Sequence, residues 1–459
     1  MAEVSTCELN DLTDLYHTFE AQISVVPAPE DDSLKSLVTF DSSKAAPVHR
    51  WYTFKEGYSN KLLSTLEREE IIPAKFAARL LDPFCGVATT LLSCQLPGEN
   101  GHVRTAVGIE RNPAIYSVAK SKLSWHKYRE AALNRLLGRL RLPKRGRRPT
   151  LLIPPLSTLT ATRKNGKRAF EPGILEDLIF YREWIRENCG SEVEFDFFIL
   201  AWTAVIEQAS NTRKDGRALR LLDVSETPNV KQLLIAQCEL MLEDLSLLKT
   251  TERPDSTAEI MLGDGRSLPF RDGSFTALCY SPPYLNNIDY SEVYKLELWL
   301  REDIVNLDQF HSLRATTLRS HPSIKFQSTS ICNGLRAQAW IRRLKDALIA
   351  ALPADNYRKM RESLFSGYID DMLIALKEQA RIAVPGAPIV CVVGNSLHGG
   401  KDNPSVPVCT DLLISAAARA VGLGIDHLQI ARQLPRRDNK NGWLRETIVV
   451  MRKPKKTSS

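Results

Sequence analysis

Ser281, Pro282, Pro283 and Tyr284 set a hydroxyl, a backbone carbonyl and an aromatic face on successive residues. They follow Phe275–Tyr280, FTALCY, a short apolar run of the kind that forms a buried parallel strand. Two prolines cannot continue a ladder, so the chain must turn there. Pro283 brings no amide proton to compete for the carbonyl of Pro282. A turn at the carboxyl end of a strand in an open α/β sheet is where ligands bind. There, a hydroxyl and a carbonyl can accept hydrogen bonds from a ligand, and an aromatic ring can pack on it.

A second constellation lies upstream, in Ala77–Thr90, AARLLDPFCGVATT. Asp82 and Pro83 end a predicted strand, and Gly86 permits close backbone approach. Thr89 and Thr90 can satisfy the first turn of the helix that follows. Further on, Ala106–Glu110, AVGIE, reads as a second short strand ending in a carboxylate. A strand, a Gly turn, a helix and a strand ending in an acid form the layout that binds a nucleoside, the acid accepting from the ribose hydroxyls. The turn lacks GxGxxG spacing, and no Gly-Lys-Ser/Thr follows to make a phosphate loop. Such a turn suits a nucleoside whose other end is a zwitterion rather than a pyrophosphate.

The elements that must position these groups alternate, with two interruptions. Residues 1–45 read as an arm with one short helix over Leu9–Phe19. His49–Ser59, HRWYTFKEGYS, is aromatic and basic together, and leads into a helix over Asn60–Glu70. Lys120–Arg148 carries eleven Lys or Arg against one acid, Glu130, and that one-sided density favours contact with phosphates. Residues 115–255 read as a mainly helical insertion containing a basic turn over Asn211–Arg217, and residues 301–365 as a second helical, basic excursion. An amphipathic helix is expected over Ser291–Leu300. After it, a helix over Asp370–Val384, a strand over Ala387–Val393, a helix over Thr410–Val421 and strands over Gly424–Gln433 and Thr447–Arg452 restore the alternation. The last two strands have no helix between them, which predicts a hairpin at the sheet edge.

The totals fit an ordinary globular chain. Of 459 residues, 43% are hydrophobic and 25% charged, and the net charge is +7. No apolar run is long enough for a membrane helix. The N-terminus is acidic and mixed, unlike a secretory signal. Nine cysteines show no CxxC pair and no Cys/His cluster at zinc spacing, which points to a reduced, cytoplasmic chain without a structural metal.

Taken together, DPFCG at Asp82–Gly86 and SPPY at Ser281–Tyr284 resemble the S-adenosylmethionine-dependent amino-group DNA methyltransferases. The resemblance covers roughly residues 45–115 and 255–300, and more loosely 366–452. It implies an α/β, Rossmann-like seven-stranded methyltransferase sheet with a C-terminal β-hairpin and helical insertions. The catalytic core would comprise residues 46–114, 256–300 and 366–453. It implies that Asp82, Pro83, Phe84, Cys85 and Gly86, with Thr89 and Thr90, hold the methionine end of S-adenosylmethionine. Glu110, with Arg111 and Asn112 beside it, would hold the ribose, and Asp264, with Gly265, the adenine amino group. The stretch with Trp51, Tyr52, Lys55 and Ser59 looks like the motif that closes over the methionine. Ala88 departs from the pattern, standing where the family usually has a second glycine.

By the same resemblance Ser281, Pro282, Pro283 and Tyr284 are the catalytic turn, acting on a base flipped out of double-stranded DNA. Serine in its first position is commoner among N4-cytosine enzymes, and Asp or Asn among N6-adenine enzymes. The expected function is therefore site-specific N4-cytosine methylation, with N6-adenine as the alternative. A guanine-N2 transfer-RNA methyltransferase and a catalytically idle nucleic-acid-binding subunit are the further readings. Lys144, Arg145, Arg147, Arg148, Arg213 and Lys214 are the expected nucleic-acid contacts, with one or both insertions reading the target. Cognate restriction or defence proteins are the expected partners. Cys85 and Cys279 read as buried small residues, and Asp289 as a helix cap.

Overall fold

The computed structural model describes residues 6–31, 33–76, 78–97, 99, 103, 105–142, 156–160, 168–171, 173–215, 218–223, 228–249, 256–286, 288–322, 330–398, 405–434 and 442–455. Its strands, numbered in chain order, are β1 (Val25–Val26), β2 (Arg79–Asp82), β3 (Thr105–Glu110), β4 (Thr212–Asp215), β5 (Ala218–Leu221) and β6 (Thr257–Leu262). They continue with β7 (Ala277–Tyr280), β8 (Pro388–Gly394), β9 (Ser396–His398), β10 (Val406–Val408), β11 (Gly424–Gln433) and β12 (Arg445–Arg452). One sheet has the order β1-β11-β12-β8-β7-β2-β3-β6, and two small ribbons pair β4 with β5 and β9 with β10. Within the large sheet β12 runs antiparallel to both of its neighbours, and every other pairing is parallel.

Both faces of this sheet are covered, which is why its central strands read as unbroken apolar runs. Leu80, Ala277, Cys279, Val390 and Val392 enter the core on one face. Their neighbours Leu81, Leu278, Tyr280, Ile389 and Cys391 enter the core on the other. Between β3 and β6 the chain is mainly helical, with helices at Glu130–Leu140, Ile174–Asn188, Glu192–Val205 and Val230–Lys249. Phe197, Trp202 and Leu234 from these helices join the same core as Leu80.

Three elements differ from the sequence expectation. The sheet has eight strands rather than seven, because Val25 and Val26 of the arm pair in parallel with Leu428 and Gln429 on the outer edge of β11. Two residues are too short to carry an alternation signal. The expected helix over Ser291–Leu300 is broken into Tyr290–Val293 and Lys295–Leu300. The break falls at Tyr294, whose ring stacks on Phe54 at 5.5 Å and whose hydroxyl donates to Glu56 at 2.8 Å. The second piece buries Leu296, Glu297, Leu298, Trp299 and Leu300, so it has no solvent face. The basic turn over Asn211–Arg217 holds β4, which pairs antiparallel with β5 just beyond it, with Gly216 and Arg217 themselves outside the described residues.

Candidate active site

Strands β2, β3, β6 and β7 are mutually parallel, so their carboxyl ends open on one side of the sheet. The chain leaves β2 toward β3 in one direction while β7 lies on its other side, which makes β2/β7 the switch point where a crevice forms. At that end lies an open cleft lined by Pro83, Phe84, Gly86, Glu110, Arg111, Asn112, Asp264, Gly265, Ser281, Pro282 and Pro283, among others.

Asp82, at the end of β2, is buried and shapes the turn from behind. Its carboxylate accepts from the Phe84 N–H at 3.0 Å, the Tyr58 hydroxyl at 3.1 Å and the Thr90 hydroxyl at 3.0 Å. Burial pushes its carboxyl up to about 6 despite these bonds. Gly86 has φ +53°, and a Cβ there would lie 3.2 Å from the Phe54 ring. Ala88, standing where the resembled pattern usually has a glycine, also adopts a left-handed conformation, with φ 66° and ψ 34°. An alanine there costs about 1–2 kcal/mol relative to the right-handed region. Thr89 and Thr90 begin a wholly buried helix. Cys85 and Cys279 are buried, and burial pushes both thiols well above their ordinary value, so neither is a thiolate nucleophile.

Glu110, at the end of β3, ties two turns together. It accepts from the Gly86 N–H at 2.9 Å and the Asn112 N–H at 2.7 Å. Burial pushes its carboxyl up to about 7, against the N–H groups of Asn112, Gly86 and Arg111. The Asn112 side chain caps the helix Pro113–Leu123, accepting from the Ala114 and Ile115 amides. Beyond β6, Asp264 receives Arg266 in a fork, Nε to Oδ1 at 3.0 Å and Nη2 to Oδ2 at 2.7 Å. Burial pushes the Asp264 carboxyl up, but the Arg266 bonds outweigh it and hold the group below its ordinary value. A Cβ on Gly265 would lie 2.6 Å from the Pro83 carbonyl oxygen, so only glycine lets this loop rest on the β2 turn.

At the end of β7 the Ser281 hydroxyl donates to the Tyr284 hydroxyl at 3.3 Å. Tyr284 does not line the cleft, and its ring covers Gly394, where a Cβ would meet it at 3.0 Å.

Several expected contacts lie elsewhere. Trp51 is fully buried and donates through Nε1 to Asp244 at 2.8 Å, on the helix Val230–Lys249. The Tyr52 hydroxyl donates to Glu297 at 3.0 Å, Lys55 donates to the Lys214 carbonyl at 2.8 Å, and Ser59 is bonded to the Ser42 hydroxyl at 2.6 Å. None of these four lines the cleft; Phe54 and Glu56, from the same stretch, do. Asp82, Cys85, Thr89 and Thr90 likewise stand behind the cleft rather than in it. Lys214, expected to contact nucleic acid, is buried, bonded to Glu297 and to the Tyr52 hydroxyl, with its ammonium 4.4 Å from the centre of the Tyr294 ring. Strand alternation turns Lys214 inward and Arg213 outward, so Arg213 alone of this pair is exposed. Lys144, Arg145, Arg147 and Arg148 lie outside the described residues.

Other groups on the cleft wall were not expected. Glu56 accepts from Tyr294, and burial pushes its carboxyl up. Tyr290 and Tyr294 contribute two aromatic walls, and Leu313, Thr316, Thr317, Leu318, Ser320 and His321 close a side from the second excursion. The Arg266 Nη2 donates to the Thr316 carbonyl at 2.6 Å, which latches this side to the Asp264 loop. The only local signal for Phe54 and Glu56 is their alternation with the exposed Thr53 and Lys55.

No family model matches the chain. It is 24% identical over 471 residues to the Type II methyltransferase M.BsoBI of Geobacillus stearothermophilus, covering 92% of this chain and 88% of that one. It is 25% identical over 457 residues to the Type II methyltransferases M.AvaI of a Nostoc species and of Anabaena variabilis, covering 92% of this chain and 89% of each. Over 92% of its length, then, the chain is similar to Type II methyltransferases, and that likeness supports the amino-methyltransferase family which its two turns resemble.

Proposed function

We infer that this protein transfers a methyl group from S-adenosylmethionine to the exocyclic amine of a base in DNA, with cytosine N4 the favoured acceptor. One observation carries the reading. The turn Ser281–Pro283 and the acids Glu110 and Asp264 line a single cleft at the carboxyl ends of parallel strands. The name borne by the relatives, Type II methyltransferase, supports DNA as the polymer, a cognate restriction protein as partner and the cytoplasm as compartment.

The donor set fits the methyl donor. Glu110 would accept from the ribose hydroxyls, Asp264 from the adenine amino group, and Glu56, beside the Gly86 turn, would meet the methionine ammonium. S-adenosylmethionine supplies an activated methyl group on a sulfonium. The chain's own task is therefore to hold the amine against that carbon. Ser281 and the Pro282 carbonyl would accept the two amine N–H bonds and favour a more pyramidal nitrogen, whose lone pair then points at the methyl carbon. A base inside a duplex cannot reach this cleft, so it must leave the stack. Tyr290, Tyr294, Phe54 and Phe84 are aromatic faces on the wall itself.

The test is mass spectrometry of nucleosides from DNA and RNA of cells expressing the protein, beside a Ser281→Ala control. N4-methylcytosine in DNA, absent in the control, is the expected result. N6-methyladenine would change the base and keep the mechanism. A modified nucleoside confined to RNA would replace the polymer. No modified nucleoside, together with no S-adenosylmethionine binding, would leave an idle nucleic-acid-binding subunit.

A further inference from the structure

Methylation of an amine leaves one proton too many on the nitrogen, and the catalytic turn has no group suited to take it. Serine stands where a carboxylate or amide would otherwise be, and an alcohol is too weak a base to keep a proton at neutral pH. The acids on the wall are engaged elsewhere: Glu110 by two backbone amides, Asp264 by Arg266 and Glu56 by Tyr294.

We propose that His321 is the acceptor of that proton and that Asp289 is the residue that positions its ring. The proposal rests on the methyl-transfer reading above and adds a group outside every segment that carries the family resemblance. His321 lines the same cleft as Ser281, Pro282 and Pro283, and is itself 2% exposed. Its Nδ1 lies 3.3 Å from Oδ2 of Asp289, which is 1% exposed.

Asp289 is fixed independently of the ring. Its Oδ1 accepts from the Ser291 amide at 3.1 Å and the Glu292 amide at 3.2 Å, capping the helix Tyr290–Val293. Its Oδ2 accepts from Arg314 at 2.6 Å. A carboxylate so held keeps the hydrogen of a neutral imidazole on Nδ1 and leaves Nε2 as the base. Among the described residues, Asp289, Glu292 and Arg314 are charged groups that act on the ring. Burial and Arg314 favour the neutral form, while Asp289 and Glu292 oppose them; the net shift is downward, so the ring is neutral and able to accept at physiological pH.

The step balances. The amine lone pair forms the N–C bond as the S–C bond breaks, and that electron pair returns to sulfur, which becomes a neutral thioether. The positive charge passes to the amine nitrogen, which loses a proton to Nε2 of His321. The imidazolium beside the Asp289 carboxylate later yields that proton to water.

The experiment is single-turnover methylation of a DNA duplex by the full chain over pH about 5.5 to 8.5, at S-adenosylmethionine concentrations that saturate the chain at every pH, with its affinity measured in parallel. Wild type should lose rate as His321 protonates at low pH. His321→Gln should be slower by roughly 100-fold, as for loss of a general base. It should lack that acid limb and keep cofactor affinity within about twofold. If His321→Gln is poorly folded, His321→Ala with added imidazole replaces it, and recovered rate is the expected result. An unimpaired His321→Gln with the same acid limb would overturn the proposal, as would a loss expressed in cofactor affinity alone or a missing rescue by imidazole. A limb that survives in His321→Gln and vanishes in Glu56→Gln would do the same. A wild-type chain that methylates no DNA would overturn the methyl-transfer reading and this proposal together.

Discussion

Glu110 offers a sharp test of the cofactor half of the cleft. Its carboxyl is pushed from an ordinary 4.5 up to about 7, with burial the cause. A ribose whose hydroxyls donate to the carboxylate binds the ionised form. A group titrating near 7 is about one-eleventh ionised at pH 6 and ten-elevenths at pH 8, so affinity for S-adenosylmethionine should rise about tenfold between them. Glu110→Gln removes the titration and the charge-assisted bonds, which are worth about 1.5–3 kcal/mol, so affinity at pH 8 should fall by roughly 10- to 100-fold and lose its slope. The same shift acts on folding with the opposite sign. A carboxyl whose folded value lies above its unfolded one costs nothing below about 4.5, costs progressively more up to about 7, and the full amount above, on the order of 3 kcal/mol. Without cofactor, Glu110→Gln should therefore gain stability relative to wild type on going from pH 4 to pH 8, offset by whatever the Gly86 and Asn112 amides lose. Calorimetric titration at pH 6, 7 and 8 and thermal unfolding without ligand read both effects. A wild-type affinity flat over this range, or a Glu110→Gln variant that keeps the tenfold slope, would refute the assignment.

Three further expectations concern other parts of the molecule. Lys214→Ala leaves Glu297 buried without its cation, so unfolding free energy should drop by about 3–5 kcal/mol in a urea titration; a loss under about 1 kcal/mol would show the pair to be unimportant. Ala88→Gly relieves a left-handed alanine and should raise stability by up to about 1 kcal/mol, with a clear destabilisation counting against strain at that turn. Replacing Arg145, Arg147 and Arg148 together by Gln should reduce the slope of log affinity against log salt by roughly 3 on duplex DNA, and an unchanged slope would return that run to ordinary surface.

The two turns were legible because prolines and a short apolar run fix a strand end without any help from distant residues. The same logic located β3 and its terminal acid. What escaped the sequence reading depends on partners far along the chain. Trp51, Tyr52, Lys55 and Ser59 look like a pocket wall by type. Asp244 and Glu297, nearly two hundred residues or more away, draw Trp51 and Tyr52 into the core. Lys214 sits among Arg213 and Asp215 and reads as solvated, yet its partner Glu297 comes from a helix 83 residues downstream. His321 and Asp289 carry no shared spacing signal, because their meeting is made by Arg314 and the fold of the second excursion. For β1 there was no pattern to see: two valines become a strand only because β11 has a bare edge.

That last strand has a consequence for biosynthesis. Val25 leaves the ribosome about 400 residues before Leu428, its partner, has been made. At about 5–20 residues per second, the arm waits roughly 20–80 seconds for an edge to dock on. Its helix Thr6–Glu20 waits too, since Tyr16 donates to the Pro407 carbonyl and Glu20 receives Arg445. During that interval Leu12, Tyr16 and Phe19, all buried at the end, face water together. The nascent arm is therefore a natural client for a holding chaperone, and the order of synthesis runs against the order in which this sheet can close.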